Sequence, residues 1–437
     1  MTTFTIQPGG RLQGELRVAG DKSISHRAVM LAALAEGWSE IDGFLEGSDC
    51  LATRHAFAAM GVEIHVSGPG QMRIHGVGLH GLQAPSTALD MGNAGTAMRL
   101  LAGLLAGQRF SSTLIGDASL SRRPMRRVTE PLALMGAQIE TTAAGTAPLH
   151  IHGGYPLHGI DYALPVASAQ IKSCLLLAGL YAEGQTRITE PAPTRDHSER
   201  MLRAFGYPVA HSGPVVSLIG GGRLTATQLS IPADISSAAF FLVGASIAQD
   251  SELRLQAVGI NPTRIGIITL LQQMGADIEL ENPRWAGHEP IADIRVRSAP
   301  LRGIQIPEDQ VPLAIDEFPA LFIAAACAEG ETRLTGAAEL RVKESDRIQV
   351  MADGLQHLGI VAEPTADGMV IQGGHLGGGQ IDSHGDHRIA MAFAMAGLRA
   401  TQPIQISHCA NVATSFPDFA ALARQAGLNI EVEVNPA

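Results

Sequence analysis

The sequence predicts an α/β protein of two similar domains, each an inside-out arrangement of three repeated units. Three observations lead there. A run of small and branched apolar residues recurs six times, at Val29 to Ala35, Leu100 to Ala106, Leu175 to Ala182, Phe240 to Ala248, Leu321 to Ala328 and Ala390 to Gly397. A second phrase, in which an amphipathic stretch stops at glycine before a strand-like run, also recurs six times: Met60-Gly61-Val62, Met135-Gly136-Ala137, Phe205-Gly206-Tyr207, Met274-Gly275-Ala276, Leu358-Gly359-Ile360 and Ala426-Gly427-Leu428. The two phrases alternate in one order, with a period of about 70 residues.

Each unit therefore reads as helix, strand, helix, strand and one further short strand. The first helix is apolar on nearly every face and belongs inside; the second keeps a polar side and belongs outside. After the first helix comes a polar turn such as Glu183-Gly184-Gln185-Thr186-Arg187-Ile188 or Glu329-Gly330-Glu331-Thr332-Arg333-Leu334, a glycine stop followed by strand alternation. Six units divide into two groups of three near Ser230 to Ser236. A trio of inner helices in each domain is expected to point its N-termini one way. Each such end carries roughly half a positive charge, so anions are expected there.

Length and composition agree with this. At roughly 100 to 200 residues a domain, 437 residues make two or three domains, and 46% apolar residues with 17% charged ones provide large cores. The net charge of −11 argues against a nucleic-acid or anionic-membrane partner, which a net basic surface would hold. Cys50, Cys174, Cys327 and Cys409 lie far apart with no Cys-x-x-Cys pair, so neither a zinc site nor a disulfide framework is indicated, and a reducing cytoplasm fits. Met1 to Gly20 lacks the apolar core of an export signal, and the longest apolar runs fall short of the roughly 20 residues that span a bilayer.

The candidate site residues stand at the starts of the inner helices. These read Asp21-Lys22-Ser23-Ile24-Ser25-His26-Arg27, Asn93-Ala94-Gly95-Thr96, Ser168-Ala169-Gln170-Ile171-Lys172, Asp234-Ile235-Ser236-Ser237, Asp316-Glu317-Phe318-Pro319 and Asp386-His387-Arg388. Lys22 and Arg27 lie about one helical turn apart with hydroxyls between them, so ammonium, guanidinium and backbone N–H groups could share one phosphate; a solvated helix start is the plain alternative. Basic groups also precede the outer helices: Arg122 and Arg123 before Pro124, Arg195 in Thr194-Arg195-Asp196-His197, and Arg341-Val342-Lys343-Glu344-Ser345-Asp346-Arg347. In the last run, Lys343 and Arg347 are expected to share a helix face with Glu344 beside them. Taken alone, such a run is usually a solvated face.

Asp316 is a carboxylate at a helix start within a basic cleft, where it is placed to act as a base; otherwise it is an N-cap. His384 and His387 flank Gly385 and Asp386 without a third ligand at helical spacing, so no metal is expected.

Together these phrases resemble the 5-enolpyruvylshikimate-3-phosphate synthase family of enolpyruvyl transferases. The most specific are Asn93-Ala94-Gly95-Thr96-Ala97-Met98-Arg99, Arg123-Pro124-Met125, Arg341 to Arg347 and Asp386-His387-Arg388-Ile389-Ala390-Met391, and the likeness runs from Asp21-Lys22-Ser23 to Thr414-Ser415-Phe416-Pro417. The chain departs from common family patterns at Leu100, where many members have proline, and at Thr414, where some have lysine.

The resemblance implies the enolpyruvyl transferase fold, each domain a pseudo-threefold set of three βαβαββ units. It implies an N-terminal lobe at 21–237 and a C-terminal lobe of 1–20 plus 238–437. It further implies transfer of the enolpyruvyl group of phosphoenolpyruvate to the 5-hydroxyl of shikimate-3-phosphate by addition and elimination, without a cofactor, in a cytoplasmic monomer that closes on shikimate-3-phosphate. Carried over by position, shikimate-3-phosphate falls to Lys22, Ser23, Arg27, Ser168, Ala169, Gln170, Arg195, Asp316 and Lys343. Phosphoenolpyruvate falls to Lys22, Gly95, Arg123, Gln170, Arg347 and Arg388, and Asp316, Glu344 and Lys22 carry the chemistry.

Three other readings compete. A UDP-N-acetylglucosamine enolpyruvyl transferase shares fold and donor but typically has a cysteine on the loop corresponding to Gly116 to Arg123, where this chain has none. An RNA 3′-phosphate cyclase is disfavoured by the acidic net charge and the missing nucleotide-binding phrase. A non-catalytic anion-binding protein has no use for two carboxylates, Asp316 and Glu344, among arginines.

Overall fold

A computed structural model describes residues 2–434. All six apolar runs lie in or run on from helices: Lys22–Leu34, Gly95–Ala106, Ala169–Gly179, Ile235–Ile247, Phe318–Ala326 and His387–Ala396. Their side chains are small enough to pack against neighbours on every face, and in Ile235–Ile247 each residue is buried.

The outer helices end where the glycines predicted. Gly61, Gly136, Gly206, Gly275, Gly359 and Gly427 all have positive φ, between 78° and 118°, a conformation open to glycine but costly with a Cβ. In the first five the next residue donates its N–H back across the last turn, as Val62 does to Phe57 at 3.1 Å and Tyr207 to Leu202 at 2.9 Å. That residue is buried, so each helix is closed by a hydrogen bond and an apolar contact together.

Six small sheets accompany the helices and share one pairing scheme, a parallel neighbour followed by antiparallel ones. Asp161–Ala163 runs parallel to Gln185–Thr189, which pairs antiparallel with Val215–Ile219, which pairs antiparallel with Ala210–Ser212. In the sheet built on Glu331–Leu334 the parallel member is reduced to isolated bridges from Arg302 and Gln305. The sixth sheet takes its third strand from the start of the chain: Thr2–Gly10 lies between Ile404–Ser407 and Leu428–Val434. The next strand, Gln13–Leu16, is the parallel neighbour of Glu252–Gly259.

By contacts the chain divides into two compact units. The N-terminal unit is Lys22–Ile231 with Ala286–His288; the C-terminal unit takes the chain up to Asp21, Pro232–Trp285 and everything from Glu289. The expected boundary between 237 and 238 would cut the helix Ile235–Ile247, whereas the contact boundary precedes both that helix and its cap, Asp234, whose carboxylate accepts from the Ser236 N–H. Among the described residues no helix is long and apolar enough to cross a membrane.

Candidate functional site

Within the N-terminal unit the starts of the three inner helices meet. Gln170, in the first turn of Ala169–Gly179, accepts a hydrogen bond from Arg99 Nη1 at 2.7 Å and donates to Thr96 Oγ1 at 3.0 Å, so its amide is fixed by the neighbouring helix Gly95–Ala106. Ser168 caps its own helix by accepting from the Ile171 N–H, which places Ala169 at the first helical position. Arg27 is buried, donating to Ser198 Oγ (2.7 Å), Ser173 Oγ (2.7 Å) and the Ser23 carbonyl (2.8 Å). Lys22, beside Ser23 at the start of its helix, pairs with the buried carboxylate of Asp49.

Gly95 is the point of closest approach. A Cβ there would lie 3.0 Å from Arg123 Nη1 and 3.2 Å from Arg99 Nη1, so its absence lets two guanidiniums reach a helix N-terminus. Arg123 is held there by Asn93, whose side-chain oxygen accepts at 2.6 Å and whose own amide donates to Asp117 at 2.8 Å. Arg195 is partly exposed, between Thr194, bonded to Glu190, and Asp196, which accepts from Arg200 at 2.8 Å.

Within the C-terminal unit the corresponding ends are acidic. Asp316 stands 3.4 Å from Lys343 Nζ, 3.6 Å from Arg347 Nη1 and 3.9 Å from Arg388 Nη2. Its backbone carbonyl accepts from Arg388 Nη1 at 3.1 Å. Arg347 is almost wholly buried and donates to Asp386 (2.8 Å) and Glu344 (2.7 Å). Burial opposes its charge, but the carboxylates of Asp386, Glu344 and Asp316 outweigh that and hold it protonated. Asp386 also caps the helix His387–Ala396 by accepting from the Arg388 N–H at 2.9 Å, so one carboxylate orients the Arg347 guanidinium and starts the helix that carries Arg388.

Two expectations need correction here. Lys343 and Arg347 do not share a helix face: Lys343 ends a 3-10 turn, Ala338–Val342, and the helix begins at Arg347 because Asp346 caps it, accepting from the Gln349 N–H at 3.0 Å. The two cations instead reach Asp316 from either side of a bend at Lys343 to Ser345. Nor is Asp316 the N-cap of Phe318–Ala326: Glu317 occupies that position, without a capping bond from its side chain.

Sequence reasoning assigned no role to Asp49, Arg99, Asp386 or Arg264. The last is 3% exposed in its side chain, 3.0 Å from Asp21 and 3.2 Å from Asp234, and donates to Ser236 Oγ at 2.7 Å. The Ser236 hydroxyl in turn donates to Glu317. The Asp234 carboxyl is raised above its ordinary range by burial and by Asp21, against the pull of Arg264 and Arg388. The phrase Thr263-Arg264 repeats Thr194-Arg195 before an outer helix, a signal that was available in the sequence. Among the described residues no group of three His, Cys, Asp or Glu side chains could hold a metal ion. A cavity of about 520 Å³ lined by Thr3, Asp353, His357, Asp382 and His384 contains none of the predicted residues.

Comparison with known proteins adds to this geometry. The family model described as EPSP synthase (3-phosphoshikimate 1-carboxyvinyltransferase) matches residues 6–422. A 3-phosphoshikimate 1-carboxyvinyltransferase of Methylococcus capsulatus is 68% identical over 429 residues, covering 98% of each chain. One from Alkalilimnicola ehrlichii is 66% identical over 97% of this chain and 96% of its own. A solved EPSP synthase of Acinetobacter baumannii superposes with a TM-score of 0.89 at 60% identity, over 99% of this chain and 100% of the other. The enolpyruvyl transferase NikO from Streptomyces tendae has the same fold, with a TM-score of 0.81 at 19% identity over 100% and 99% of the two chains.

Proposed function

The chain belongs to the EPSP synthase family, and from that premise we propose that its two clusters act on one pair of substrates, transferring the enolpyruvyl group of phosphoenolpyruvate to the 5-hydroxyl of shikimate-3-phosphate with release of phosphate. The observation that carries this reading is Asp316, a carboxylate within 4 Å of three cations. A pure anion binder gains nothing from a carboxylate there, whereas an acid–base catalyst requires one.

In the addition step Asp316 takes the proton of the 5-hydroxyl as its oxygen bonds to C2 of phosphoenolpyruvate, and Glu344 delivers a proton to C3. In the elimination step C3 returns a proton to Glu344 and the double bond re-forms, while the C2–O bond to phosphate breaks and the leaving phosphate takes its electron pair and the proton held by Asp316. Lys22, Ser23, Arg27, Ser168, Ala169, Gln170, Arg195 and Lys343 hold shikimate-3-phosphate. Phosphoenolpyruvate lies against Lys22, Gly95, Arg123, Gln170, Arg347 and Arg388. The planar guanidinium forks match carboxylate and phosphate oxygens in pairs, and the donors already fixed by Asn93 and Asp386 need little reorganisation as charge develops. Lys22, paired with Asp49, can exchange that partner for a phosphate oxygen.

We place the protein in the cytoplasm as a single working chain; its four cysteines, none in a disulfide, suit a reducing compartment. Phosphate release, measured with both substrates and with each omitted in turn, tests the function. Release only when both are present is expected. Release from phosphoenolpyruvate alone would overturn the reading. Light scattering that finds a dimer would overturn the single chain.

A further inference from the structure

We propose that Lys172, Glu190 and Glu199 are positioning residues for shikimate-3-phosphate, fixing Arg195 relative to Gln170 and thereby setting selectivity for the 3-phosphate. This deepens the function proposed above and rests on it.

Lys172 is buried to 1% side-chain exposure, with Nζ 3.0 Å from Glu190 Oε2 and 2.7 Å from Glu199 Oε1; the two carboxylates are themselves 6% and 2% exposed. Apolar side chains of similar volume would hold a core at least as well as buried ions, so stability alone does not account for the triad. One ammonium against two carboxylates also leaves surplus negative charge, and Glu199 Oε2 has no hydrogen-bond partner.

Each member adjoins a residue assigned to shikimate-3-phosphate. Lys172 follows Gln170 by two positions on the helix Ala169–Gly179. Glu190 accepts a hydrogen bond from the Thr194 hydroxyl, closing the loop immediately before Arg195. Glu199 lies in the first turn of His197–Ala204, the helix immediately after it. Arg195 thus projects from a segment pinned on both sides to one ammonium. The neighbouring pair repeats the tie: Ser198 Oγ donates to Ser173 Oγ at 2.7 Å, and both hydroxyls accept from Arg27. The adjacent residues Lys172-Ser173 and Ser198-Glu199 therefore form one buried junction joining Arg27, Gln170 and Arg195. A shift of even an ångström at such a junction misplaces bound oxygens relative to reacting atoms.

The test uses the full chain with Glu199→Gln, which keeps the shape, Lys172→Met, which removes the cation, and Lys172→Arg, which keeps the charge. Steady-state kinetics are measured with each substrate varied separately, and with unphosphorylated shikimate as acceptor. Glu199→Gln and Lys172→Met are expected to raise KM for shikimate-3-phosphate at least tenfold, to leave KM for phosphoenolpyruvate and kcat within threefold, and to lower the preference for the phosphorylated acceptor about tenfold. Lys172→Arg is expected to recover most of the loss. A merely structural role would lower the melting temperature and move both KM values together. That outcome, or unchanged KM values in folded Glu199→Gln, overturns the inference while leaving the reaction of the wild-type enzyme standing. Absence of phosphate release by the wild type would instead strike the proposed function itself.

Discussion

Arg195 and Arg264 occupy the same place in the repeat, each after a threonine and shortly before an outer helix, yet their surroundings are opposite. Arg195 is partly exposed, on a loop whose anchors are its neighbours. Arg264 is enclosed by Asp21, Asp234 and Glu317; burial works against its charge, but those carboxylates hold it protonated. What differs is the chemistry at the inner-helix starts. In the N-terminal unit these offer hydroxyl and amide groups from Ser23, Thr96, Ser168 and Gln170; in the C-terminal unit they offer the carboxylates of Asp234, Glu317 and Asp386. At this place in the repeat the cation is thus left partly open in one half and drawn among carboxylates in the other, and it is the second half whose helix starts supply groups for proton transfer.

The sharpest test of that division is Asp316→Ala. It is expected to lower kcat by a factor on the order of a hundred or more while shikimate-3-phosphate affinity stays within roughly tenfold; an unchanged kcat would remove Asp316 from the chemistry.

The paired arginines come next. Arg264→Met strands buried carboxylates and is expected to cost about 3 to 5 kcal/mol of unfolding free energy in urea. Arg195→Met is expected to change stability by only about 0.5 kcal/mol while raising KM for shikimate-3-phosphate. Equal stability losses in the two variants would erase the contrast.

A smaller effect is expected at Gly95. The added methyl of Gly95→Ala meets the tips of two flexible side chains rather than backbone, so the fold should survive while KM for phosphoenolpyruvate rises severalfold as Arg123 is displaced.

The smallest effect lies at Asp293, beside the strand Glu252–Gly259. Burial alone would raise the Asp293 carboxyl, but the Ala257 N–H, Asn282 and Arg284 bring it down to about 2. Its unfolded value is about 3.9, so the folded state binds the proton less readily. The resulting stabilisation is present in full above about pH 4 and is lost as pH falls towards 2. Asp293→Asn should therefore lower stability by about 1 kcal/mol at neutral pH and by progressively less in acid, as followed by urea melts across that range.

The inner helices and the glycine stops were legible because each follows from local rules: small apolar residues on all faces, and a backbone angle that glycine adopts freely. The cations and Asp316 were legible because helix starts attract anions. Their partners were not. Asp49 meets Lys22 from 27 residues away, Arg99 meets Gln170 from 71 residues away, and Arg264 meets Asp21 from 243 residues away; no periodicity encodes such pairs. The break before Arg347 is hard to see in the sequence because the charges from Arg341 to Arg347 follow one another closely and Asp346, a good N-cap residue, stands among them.

The strand Thr2–Gly10 has a consequence for how the protein is made. It leaves the ribosome well before the two strands that flank it, Ile404–Ser407 and Leu428–Val434. The segment from Lys22 to Ile231 closes its own sheets and can fold during translation. At roughly 5 to 20 residues per second, this strand then waits about 20 to 80 seconds with its edges bare. During that interval a nascent chain is open to pairing with a neighbour on the same message, so chaperone demand should fall on this short leader rather than on the larger body that follows it.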